Sequence, residues 1–79
     1  MILQEFFRRF HDLRYAIRDR YEIEEAASVS QLWLAHITGI SWNIWLLRPD
    51  RAWDPAWDAA YQHGLEQLSA GIPVQHLMG

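Results

Sequence analysis

The chain contains no cysteine, so disulfides, thiolate metal sites and thiol nucleophiles are excluded together. It also contains no lysine. Its seven cations are all arginines, and they face ten acids for a net charge of −3. Such a chain neutralises phosphates poorly, so no direct nucleic-acid partner is expected. No apolar run approaches the roughly 20 residues that span a bilayer. The N-terminus places Glu5 ahead of its first arginine and has no small-residue cleavage site, which does not read as a signal peptide. A soluble, cytoplasmic protein without a membrane partner is the expectation. The four glycines, Gly39, Gly64, Gly71 and Gly79, are too scattered to cradle a phosphate; they read as helix stops and one close helix contact. Alternating polar and apolar runs are missing, which argues against a sheet.

What the sequence does contain is apolar bulk: 51% hydrophobic residues and five tryptophans in 79 residues. A chain of this length fits one domain, residues 1–79, and buries roughly 60% of the surface its unfolded form exposes. Charge is unevenly placed. Residues 1–20 hold five arginines against three acids, whereas residues 52–79 hold three acids and no cation. That asymmetry suits a partner of mixed charge.

Periodicity predicts helices throughout. Leu3, Phe6, Phe10, Leu13 and Ile17 recur at steps of three and four, with Phe7 widening the stripe. Tyr21 to Ile23 is read as a turn. A second helix is predicted from about Glu24 to Thr38, with acids in its first turn and Gly39 just past its end. Val29, Leu32, Trp33, His36 and Ile37 form its expected buried face. Ser41 is placed as N-cap of a short helix, Trp42 to Leu47, that stops before Pro49. Asp54 and Pro55 signal another start, leading to a helix that ends near Ala70 with Trp57, Ala60, Tyr61, Gly64, Leu65 and Leu68 inside. Pro73 opens a last short turn through Leu77. The expected fold class is all-α, a small orthogonal or up-down bundle of four to five helices.

Chemistry-bearing groups are few. His11, His36, His63 and His76 form no HxxxH pair and have no thiolate to help them. Glu24 and Glu25 are adjacent and so do not share a helix face. Ser28, Ser30, Ser41 and Ser69 have no base at useful spacing. No catalytic, metal-binding or cofactor-binding residue is assigned. Partner binding is the remaining candidate activity. Arg8, Arg9, Arg14 and Arg18 are suited to gripping carboxylates or phosphates, although a solvated face is the plainer reading. Trp33 and Trp57 sit on apolar stripes and are expected in the core, whereas Trp42, Trp45 and Trp53 are candidate binding hot spots.

Two segments carry a resemblance. Gln31-Leu32-Trp33-Leu34-Ala35-His36-Ile37-Thr38-Gly39 resembles the LLLAHVLG helix end of the release factor glutamine methyltransferases (HemK/PrmC-like), and Ser41 and Ile44 to Leu47 match the short helix that follows there. Leu65 to Gly71 with Pro73-Val74-Gln75-His76-Leu77-Met78-Gly79 resembles that family's RRxxGEPVQYIxG segment. The chain departs from the pattern at Trp42, where a basic residue is usual, at Gln67 and Ser69 for the double arginine, and at Ile72 for glutamate. His76 stands where tyrosine is usual and joins the candidate partner contacts. The resemblance implies an N-terminal helical bundle that helps engage a peptide chain release factor. It also implies a separate C-terminal Rossmann-like domain that binds S-adenosylmethionine and methylates the glutamine of a Gly-Gly-Gln motif, using Asn-Pro-Pro-Tyr. Neither that motif nor a glycine-rich donor loop occurs here, so a fragment lacking the catalytic domain is expected. Two other readings remain open: a free-standing helical interaction module, and a helix-turn-helix nucleic-acid binder, which would need a basic recognition helix beside a tight turn.

Overall fold

The computed structural model describes residues 4–79 and is all-α, with five helices and no strand among those residues. Helix α1 spans Glu5–Ala16, α2 Ile23–Thr38, α3 Trp42–Leu47, α4 Asp58–Ser69 and α5 Val74–Met78. A 3₁₀ turn over Pro55–Trp57 leads into α4. Helix α1 packs on α2 and α4, α2 also meets α4 and α5, and α5 closes against α4. No helix among the described residues is long and apolar enough to cross a membrane.

Helix α1 buries Phe6, Phe10 and Leu13, with Ile17 just beyond it, as the stripe predicts. Leu3, the first residue of that stripe, lies outside the described residues. Phe6 stacks on Trp45 with ring centroids 4.1 Å apart and an interplanar angle of 9°. Phe10 tilts against Trp42 at 4.7 Å, while Phe7 meets the same indole edge-on. An aromatic layer therefore fastens α3 to α1, where each such pair adds about 0.5–1.5 kcal/mol beyond area burial.

The inward face of α2 differs from the expected one. Leu32 is 48% exposed and His36 is exposed, stacked on Trp33, while Ala26, Val29, Ser30, Trp33 and Leu34 are buried. Two small residues, Ala26 and Ser30, take inward positions beside Val29, Trp33 and Leu34. Ser30 is tolerated in the core because its hydroxyl donates to the Ala26 carbonyl at 2.8 Å. Helix α2 also begins at Ile23, so the turn lies earlier, over Ile17 to Tyr21. Gly39 ends the helix at φ 71°, a left-handed conformation in which its N–H reaches the Ala35 carbonyl.

Ser41 occupies the N-cap position of α3, but its hydroxyl makes no capping bond; its carbonyl accepts from the Ile44 and Trp45 amides instead. Asp54 does cap, accepting from the Ala56 N–H at 2.9 Å with Pro55 at the first position. The turn it starts is 3₁₀, so α4 proper begins later than expected, at Asp58. Tyr61, Gly64 and Leu68 then form its buried edge. The ends of α1 and α4 are tied together by Arg20, whose Nε donates to the Ser69 carbonyl at 3.0 Å.

Gly64 is where α4 touches α2. A Cβ built at this position would overlap the Trp33 indole. Alanine for glycine in a helix interior ordinarily stabilises by about 1 kcal/mol. Here the overlap reverses that sign, because the atoms in the way belong to a buried, rigid indole and not to the end of a flexible side chain. Gly64→Ala is expected to lower unfolding free energy by about 1–3 kcal/mol, the range for overpacking. Urea denaturation followed by tryptophan fluorescence measures it.

Candidate partner-binding surface

The eight candidate residues fall in separate places. Arg9 turns inward. Its Nη2 lies 3.1 Å from Asp58 Oδ1 and its Nε donates to Glu5 at 2.9 Å. Its guanidinium covers the Trp53 ring at 4.7 Å and the Tyr61 ring at 5.1 Å. Asp58 Oδ1 also accepts from the Trp53 indole N–H at 2.8 Å, and the Tyr61 hydroxyl donates to the Arg9 carbonyl at 2.8 Å. Arg9 and Trp53 thus clip α1 to α4 and its preceding loop. Sequence alone offered no sign of this, because 49 residues separate Arg9 from Asp58 along the chain.

Trp45 is fully buried beneath Phe6 and offers no surface to a partner, which corrects its assignment as a hot spot. Helix α3 has only six residues, fewer than two turns, and is too short to hold by its own hydrogen bonds, so the Trp45–Phe6 stack anchors it. Trp57, expected in the core, is partly buried, edge-on to both Trp45 and Trp53. Trp42 is partly buried and borders a shallow depression with Leu32 and Ala35. His76 is exposed on α5.

Arg8 and Arg18 are exposed and Arg14 is half-buried. Arg8 is held by Glu5 within its own helix at 2.7 Å, and this hydrogen-bonded pairing holds the Glu5 carboxyl below the usual range. Arg14 lies over Phe10 at 5.3 Å and meets His11 Nδ1 at 2.9 Å. Arg18 lies over the Tyr15 ring at 3.7 Å and donates to the Tyr15 carbonyl at 2.7 Å. Arg14 and Arg18 share a groove of about 420 Å³ with Tyr15, Tyr21 and Ile23, between the end of α1 and the start of α2. Those three apolar residues were not singled out in the sequence. Tyr15 and Ile23 lie off both helical stripes, and an apolar residue off its stripe is the one signal that marks them.

Tyr61 carries a titration signature of the clip. Burial, reinforced by the Asp12 carboxylate, pushes its phenol up to about 12, with Arg9 opposing. Between pH 10 and 12 the unfolded chain releases this proton while the folded chain keeps it. The contribution of Tyr61 to stability is therefore complete below pH 10 and is lost as pH rises through 12. Tyr61→Phe is expected to remove that component of the alkaline slope. At neutral pH it should cost about 1 kcal/mol through the lost bond to Arg9. Denaturation midpoints of both proteins from pH 7 to 12 provide the comparison.

No curated protein and no solved structure matches the chain significantly. A family model does: that of the PrmC N-terminal domain, over residues 11–79. The match runs from the middle of α1 through α5 and includes both sides of the Trp33–Gly64 contact and the aromatic anchor of α3. With so much of the chain matched, this protein belongs to the PrmC N-terminal domain family.

Proposed function

We propose that this chain is the substrate-recognition domain of a protein-glutamine N5-methyltransferase that acts on peptide chain release factors in the cytoplasm. Membership of the PrmC N-terminal domain family over residues 11–79 is the observation that carries the reading. The chemistry divides accordingly. Methylating an amide nitrogen requires a water-excluding site that holds donor and nucleophile in line. That site, and the S-adenosylmethionine that supplies the methyl group, belong to a separate catalytic domain, the bundle's second partner. The bundle contributes binding energy from parts of the release factor remote from the Gly-Gly-Gln glutamine. Such energy raises kcat/KM by helping to hold the reacting amide in place. Exposed Arg8, Arg18 and His76, with half-buried Arg14, Trp42 and Trp53, are the contacts offered.

The test compares the full-length enzyme with a form lacking residues 1–79. On intact release factor, removal of the bundle is expected to lower kcat/KM at least tenfold, equivalent to about 1.4 kcal/mol of transition-state binding. Affinity for S-adenosylmethionine is expected to stay unchanged. Equal kcat/KM for both forms, or a full-length enzyme that leaves release factor unmethylated, would refute the proposal.

A further inference from the structure

The mouth between the end of α1 and the start of α2 has features that folding does not require. Tyr15 and Ile23 stand 65% and 82% exposed. They are not isolated, since with Tyr21 they line one groove whose volume of about 420 Å³ lies in the range of ligand clefts. Arg14 and Arg18 line the same groove, and among the described residues neither stands within ion-pair distance of a carboxylate. Each guanidinium has five N–H donors and uses few of them on His11 and the Tyr15 carbonyl. Asp12 is the one acid lining this groove, whereas Asp19, Glu22, Glu24 and Glu25 line neighbouring depressions on the other side of Ile23, together with Arg20. The groove therefore has an apolar side and a basic side, on a chain whose net charge is −3.

We infer that this groove binds an acidic, amphipathic peptide segment of a protein partner. An apolar side chain of the segment lies against Tyr15, Tyr21 and Ile23, and a carboxylate bridges Arg14 and Arg18. Charge complementarity selects this occupant, and the tyrosine–arginine pairing is of the type that concentrates binding energy at interfaces. The exposed Ile44, Leu46 and Leu47 of α3 form another apolar surface, but they carry no charge that would specify an occupant. The identity of the partner rests on the proposed function, under which the segment belongs to the release factor; the groove's preference for acidic peptides does not.

Two synthetic peptides of equal length test the inference, with leucine and phenylalanine spaced along one helical face and glutamate or lysine on the other. Each is titrated into the ¹⁵N-labelled chain. The glutamate peptide is expected to shift the amide signals of Tyr15, Arg18, Tyr21 and Ile23 saturably, and the lysine peptide to leave them in place. Arg14→Glu/Arg18→Glu is expected to weaken binding about tenfold, as reversing one exposed and one half-buried surface cation implies. Arg14→Gln/Arg18→Gln serves if the reversed pair perturbs the amide spectrum, and Tyr15→Ala probes the apolar half. Shifts confined to Leu46 and Leu47, no shifts at all, stronger binding of the lysine peptide, or unchanged affinity in the variants would each overturn the groove assignment. Purified release factor is then titrated against the same chain. If it leaves the spectrum unchanged while the glutamate peptide binds, the release-factor reading falls and the groove assignment stands.

Discussion

Trp33 lies against α4 at the one position in that helix where a side chain is missing. The indole and the Gly64 backbone occupy the same layer of the core, so α2 and α4 approach more closely than a Cβ at residue 64 would allow. Much of the architecture follows from that spacing. One turn before Gly64, Tyr61 reaches across to the Arg9 carbonyl; one turn after it, Leu68 is fully buried. Val74 and α5 close against the same pair of helices. The arrangement has a cost, because the indole nitrogens of Trp33 and Trp45 are buried without hydrogen-bond partners. An unpaired buried N–H costs about 1–3 kcal/mol. Burying 150–250 Å² of aromatic surface at about 25 cal/mol per Å² returns roughly 4–6 kcal/mol per ring. The aromatic term is larger, so a small chain tolerates both indoles in its core.

The arginines divide by the same logic of space. Arg9 and Arg20 serve the fold. A planar, weakly hydrated guanidinium covers the edge-on Trp53 and Tyr61 rings from one side while keeping donors for Asp58 and Glu5, which a lysine ammonium would not do. Arg20 instead satisfies a carbonyl at the end of α4 that has no partner within its helix. Arg8, Arg14 and Arg18 touch only groups within α1 or its own ring faces, and reach no other helix. Five cations in the first 20 residues are therefore not one basic face. They are two structural fasteners and three surface groups.

Sequence reading succeeds where the determinants are local. The bounds of α3 follow from Gly39, Ser41 and Pro49, and the inner edge of α4 follows from a clean repeat of Tyr61, Gly64 and Leu68. It fails where the determinant is distant. Trp45 and Trp53 look alike in sequence, yet one meets Phe6, 39 positions away, and is enclosed, while the other remains at the edge beside Arg9. The face of α2 fails for a different reason. Ranking by hydrophobicity favours Leu32 over Ala26 and Ser30, but the face of the helix turned to its neighbours decides burial, and a buried serine bonded to its own helix is nearly apolar in effect. Tyr15 and Ile23 were legible only in negative, as apolar residues that no stripe accounts for.

A domain that places most of its aromatic bulk inside has little left for tight association. Exposed ion pairs contribute about 0–1 kcal/mol each, and one groove with two free arginines supports weak binding by itself. Under the proposed function weak binding is sufficient. Once the catalytic domain holds the reacting end of the release factor, contact with the bundle becomes intramolecular, at an effective concentration on the order of millimolar. At that concentration, even a site of roughly millimolar affinity is about half occupied. Tighter binding would hold the methylated product as firmly as the substrate and slow its release, since the contacts lie away from the glutamine and do not change when it is modified. Under that function, a packed aromatic core would fix the geometry for positioning, and a modest charged groove would keep affinity low enough for turnover.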